Sequence, residues 1–176
     1  MQHDERCRKA FDRVEPYIER RFGLPVIIAD VPDPFTGDLD GATIIVDYDL
    51  DAENALFILV HLFGHTVQWN VSSTDRALGL VQVHMPSEAL LLELEQYERR
   101  AACYSLQLFH DAGVHDLDQW LADFVACDVA YLIHFYRTGE KRAFRSFWRD
   151  GAPTLSPLPI PHFQPTKWVT RSGTVV

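Results

Sequence analysis

At 176 residues and 47% hydrophobic, the chain is long enough for one domain with a substantial core and too short for two. Its formal net charge of -9 excludes the lysine- and arginine-rich surface that tracks nucleic-acid phosphates, so the expected partner is a small molecule, neutral or cationic, and not nucleic acid. Cys7, Cys103 and Cys127 sit at unrelated spacings that make neither a zinc knuckle nor a disulfide scaffold, and they read as reduced thiols of a cytoplasmic protein.

In chain order, residues 6–22 place Phe11, Val14, Tyr17, Ile18 and Phe22 on a helical period, and Gly23 stops the run. Residues 25–29 and 42–46 are β-branched strands expected to pair, separated by a turn-rich stretch from Pro32 to Gly41. Asp49 or Asp51 then caps a helix reaching about Asn70, and polar residues 72–75 open a connection. Pro86 and Ser87 precede a helix over 88–110, and Asp116 is placed to cap another over 117–137. Residues 141–148 read as a short last helix. Five prolines between Gly151 and Pro165 exclude helix and central strand there. The expected architecture is α+β and mostly helical. Helices of 1–150 pack on a small two- or three-stranded sheet, and a proline-rich arm, 151–176, lies back on the domain through Phe163 and Trp168. The charged N-terminus does not read as a signal peptide, and the longest apolar run, 55–60, is far short of the roughly 20 residues of a membrane span.

The chemistry concentrates on His61 and His65. Their i,i+4 spacing stacks both imidazoles on one helix face, where Asn54, Phe57, Ile58, Gly64 and Gln68 also lie. The two rings are either structural histidines of a buried helix or two ligands of one metal ion. Gly64 costs about 1 kcal/mol of helix propensity relative to alanine, so it needs a reason, and room beside the imidazoles for a metal, a substrate or a crossing strand is one. Glu98 supplies a third ligand by elimination. Glu93 shares a polar stripe, and Glu95 has Arg99 four residues on. Glu98 lies on a stripe of Leu91, Leu94, Ala101, Ala102, Ser105 and Phe109, with no cation three or four residues away. Its partner is either a remote arginine or a metal held by the histidines.

The stretches 26–46, 57–65 and 98–108 together resemble the ImmA/IrrE-type minigluzincin metallopeptidases, a likeness spanning roughly residues 6–110. The resemblance implies a zincin-like fold and assigns zinc-ligand roles to His61, His65 and Glu98. Two departures stand out. Leu62 occupies the place of the family's catalytic glutamate, and Ala102 the place of a polar residue four positions after the ligand glutamate. General acid–base help contributes about 10²- to 10⁴-fold, and leucine supplies none. A two-histidine, one-carboxylate set also suits redox metals, so the sequence favours a mononuclear iron, cobalt or manganese enzyme of oxidoreductase type over a zinc hydrolase. A zinc peptidase with another base and a non-catalytic binding module are the alternatives. Supporting groups are sought on the helix after Asp116. There Asp128 is a candidate outer acceptor for a ligand histidine, and His134 a fourth ligand or acid–base group. Tyr97, beside Glu98, is a candidate for the pocket lining.

Overall fold

The computed structural model describes residues 2–81 and 84–168. Five α-helices pack against one small mixed sheet: α1 (Gln2–Phe22), β1 (Val26–Ala29), β2 (Gly37–Leu39), β3 (Ile44–Asp47), α2 (Ala52–Val71), α3 (Ser73–Gly79), α4 (Glu88–Asp111) and α5 (Asp118–Thr138). The fold is therefore α+β and mostly helical.

The two β-branched runs do pair, in parallel, with Val26 opposite Ile44 and Ala29 opposite Asp47. The turn-rich stretch between them contributes the third strand, β2, antiparallel to β3, so the sheet order is β1-β3-β2. Helix α2 is the axis of the molecule. Every residue from Leu56 to Trp69 is buried, which is why the segment reads as almost uniformly apolar instead of amphipathic. Asp51 caps it by accepting the Asn54 N–H at 2.8 Å. Helices α1 and α4 lie against α2, and α5 packs on α4.

Three local expectations are corrected. Residues 73–79 form α3, capped by the Ser72 hydroxyl at 3.0 Å from the Asp75 N–H, where only a connection was expected. Asp116 does not cap α5; its carboxylate instead takes the Arg6 guanidinium at 3.1 Å, and the helix starts without a side-chain cap. The last helix shrinks to one 3-10 turn, Phe144–Phe147.

From 152 to 168 the chain has no regular element and runs across the domain. The Leu158 N–H reaches the Cys103 carbonyl at 3.2 Å, and Trp168 N–H reaches the Asp40 carbonyl at 2.8 Å. Phe163 stacks on Phe22 with 5.6 Å between centroids. The rest of the expected arm, 169–176, lies outside the described residues. Cys7, Cys103 and Cys127 are free thiols, and burial pushes Cys7 and Cys127 up to about 11. No described helix is long and apolar enough to cross a membrane.

Candidate metal centre

Helices α2 and α4 meet at Gly64. A Cβ there would lie 2.3 Å from the Ala101 carbonyl oxygen, so only glycine permits this approach. The room left by Gly64 is taken up by the crossing helix, not by a metal or substrate. Ser105 fastens the same crossing, its hydroxyl lying 2.7 Å from the Val60 carbonyl and 3.0 Å from that of Ala101. His61 and His65 flank Gly64 on α2, and Glu98 sits one turn before Ala101 on α4. Closing the crossing therefore brings a carboxylate from one helix onto two imidazoles of the other.

The resulting separations are 3.0 Å between the two Nε2 atoms, 2.9 Å from His65 Nε2 to Glu98 Oε2, and 3.7 Å from His61 Nε2 to the same oxygen. Ligand atoms about 2.1 Å from one ion lie about 3.0 Å apart at a right angle and about 3.4 Å apart at the tetrahedral angle. The observed triangle falls around that range. Among the described residues, this is the one group of three metal-ligating side chains whose atoms all lie within 4.8 Å of one another.

Gln68 decides what the triangle wants. Its amide nitrogen donates to the Tyr97 carbonyl at 2.8 Å, which turns its oxygen towards His65 Nδ1 at 2.9 Å. An amide oxygen only accepts, so Nδ1 of His65 carries the proton, and in the neutral ring Nε2 offers a lone pair. That lone pair faces a carboxylate oxygen and a second imidazole nitrogen. Three lone pairs at these distances repel unless a proton or a metal cation is shared among them, and the donor set of two nitrogens and one oxygen fits a divalent metal. Burial is the largest influence on the His61 imidazole and pushes it down to about 3, so that ring is neutral as well.

The remaining sequence candidates fall in different places. Tyr97 is buried and its ring stacks on His65 with centroids 4.6 Å apart, while its hydroxyl accepts the Trp69 indole N–H at 2.9 Å. It serves as a platform under the His65 ring. Asp128 is buried on α5, but the outer acceptor on His65 is Gln68, and Asp128 Oδ1 has no hydrogen-bond partner. Burial, then the charge of Glu98, holds the Asp128 carboxyl well above the usual aspartate range, which favours the neutral acid. His134 is not brought to the cluster. Six residues after Asp128, it points off another face of α5, packs on Phe147 with centroids 5.3 Å apart and approaches the Thr138 hydroxyl at 3.4 Å.

Leu62 is completely buried. Its Cδ1 lies against Gly37 of β2, where even a methyl group on the glycine would come within 2.8 Å. The position next to the first ligand is thus sealed by packing. A cavity of about 500 Å³ is lined partly by Phe57, Phe124 and Asp128, though not by His61, His65 or Glu98 themselves. The Phe57 ring links the two, 5.2 Å from that of His61. Sequence reasoning missed this cavity and its Thr36 and Lys141, which come from the loop before β2 and the irregular segment after α5, with no motif of their own. Comparison with protein-family models, with curated proteins and with solved structures yields no match, and the site is interpreted from its own chemistry.

Proposed function

We propose that His61, His65 and Glu98 hold one divalent metal ion, and that the centre is the active site of a small-molecule enzyme favouring redox or oxygen-type chemistry over peptide hydrolysis. The observation that carries this reading is Gln68, which fixes the His65 tautomer so that its Nε2 lone pair meets Glu98 at 2.9 Å. Iron, cobalt or manganese in such a two-histidine, one-carboxylate site would supply Lewis acidity and a redox couple, with coordination positions left for substrate. The chain's own residues set the surroundings. Gln68 and Tyr97 orient His65, and apart from His65 no ionisable residue of α2 lies in the buried stretch around His61 to move a proton.

Asp128 favours a second reading, zinc-dependent hydrolysis of the minigluzincin kind with a proton carrier from another helix. It is a buried carboxyl with an unpaired oxygen, close enough for the charge of Glu98 to raise it. Elemental analysis of protein purified without a metal-binding tag separates the two. The first reading requires iron, cobalt or manganese, or activation by one of them. Stoichiometric zinc, with chelator-sensitive peptide cleavage that Leu62→Glu accelerates, would overturn it in favour of the second.

A further inference from the structure

Among the described residues, three buried side-chain polar atoms lack a hydrogen-bond partner: Thr36 Oγ1, Asp118 Oδ1 and Asp128 Oδ1. Asp118 is partly satisfied, because its other oxygen lies 2.9 Å from His110. The other two both line the cavity beside the centre. Buried polar groups are nearly always paired, so two orphan oxygens on residues of one cavity wall point to a partner that the cavity receives. The remaining wall is apolar and largely aromatic: Phe57 and Phe124 stack with centroids 3.9 Å apart, and Tyr131 and Phe144 extend the surface.

Charge distinguishes the outer end from the inner one. Lys141 and Arg145 line the cavity and are exposed, whereas Asp128 is 2% exposed. Arg145 is committed to Glu53 and lies over the Phe124 ring at 5.1 Å. Lys141 has no ion-pair partner among the described residues. The rim is therefore locally cationic on an acidic protein, opposite to what the net charge suggested. A volume of about 500 Å³ is in the range that takes a small organic ligand.

We propose that this cavity binds a small aromatic carboxylate, with the carboxylate at Lys141 and a hydrogen-bond donor such as a hydroxyl reaching Asp128 and Thr36. In naming that ligand as the substrate the inference rests on the metal-centre reading; the chemistry of the cavity does not.

The test uses the full chain, stripped of metal or reloaded with one divalent ion, with metal content measured on the same samples. 4-Hydroxyphenylacetate, phenylacetate, tyramine and 4-hydroxyphenethyl alcohol are titrated by calorimetry. The hydroxyl should tighten 4-hydroxyphenylacetate about tenfold over phenylacetate, the worth of one hydrogen bond to an otherwise unpaired buried group. Tyramine should bind more weakly than either. Lys141→Gln should weaken 4-hydroxyphenylacetate about fivefold and leave the neutral alcohol unchanged, as for a partly exposed charge pair. Asp128→Leu, and independently the shape-conserving Thr36→Val, should reduce the preference for the hydroxyl. No binding of any probe at about 10 mM, the weak end of specific recognition, would overturn the proposal. So would a preference for tyramine, or a hydroxyl preference that survives both inner substitutions. A loaded centre with an unresponsive cavity refutes the pocket alone, and ligand binding by protein that takes up no ion on reloading refutes the centre alone.

Discussion

The centre and the cavity lie side by side, and they treat buried polar groups in opposite ways. At the centre every group has a neighbour. Gln68 holds His65, Tyr97 supports its ring, and Glu98 faces both imidazoles. In the cavity, Thr36 and Asp128 each leave an oxygen unpaired. On the readings proposed above, the first arrangement suits a point charge and the second a bound molecule. A rigid, mutually positioned cluster beside a pocket whose wall carries unpaired oxygens fits the proposed division into a cofactor site and a substrate site.

The largest effect should come from the crossing that builds the centre. Gly64→Ala drives a methyl group into the Ala101 backbone, and overpacking of this kind costs about 3 kcal/mol, a loss of about 10 °C in melting temperature. Metal retention should fall with it, because the helices must part to relieve the clash. An unchanged melt would show that the approach of α2 and α4 is looser than the structure has it.

Gln68→Leu should act more narrowly. It removes the acceptor on His65 Nδ1 and strands the Tyr97 carbonyl, and loss of such an outer partner lowers metal affinity about 10- to 100-fold. Circular dichroism should show the fold intact while competition with a chelator shows the weakened site. Equal affinity in wild type and variant would mean that the tautomer is set by something else.

The centre was largely legible in the sequence because helical spacing is a local property. The i,i+4 histidines, the uncompensated Glu98 and the nearby Gln68 all follow from counting along a helix. What was not legible is long-range. Strand β2 is three residues of a turn-rich stretch, made a strand by pairing with β3 and not by its own propensity. Gly64 gave a signal without a reason, since the reason lies in the Ala101 backbone. Asp128 and His134 share an apolar arc on a helical projection, yet only Asp128 turns inwards, because α5 meets its neighbours along part of that arc. The cavity joins residues 34–58 to 124–145, and nothing in either segment announces the other.

The smallest effect separates the two regions by pH. Asp128 has its carboxyl raised in the folded state, so its favourable contribution is complete below the ordinary aspartate value and is lost as pH rises through the raised one. His61 has the opposite sign. Its imidazole is pushed down to about 3, so its contribution is present above about 6.5, the ordinary histidine value, and is lost as pH falls towards 3. In metal-free protein, Asp128→Asn should therefore gain stability over wild type as pH rises from 4.5 to 8, by about 4 °C for each unit by which the carboxyl is raised. A constant difference across that range would place Asp128 in a wetter setting than the cavity wall.

The most direct measurement is a metal titration of tag-free, chelator-treated protein, followed by calorimetry and by elemental analysis of the saturated product. One divalent ion per chain should bind, raising the melting temperature, and His61→Ala and Glu98→Ala should each abolish that stoichiometric binding while remaining folded. Protein that takes up no ion, or that binds equally well without His61 and Glu98, would contradict the assignment of these three side chains as a metal centre.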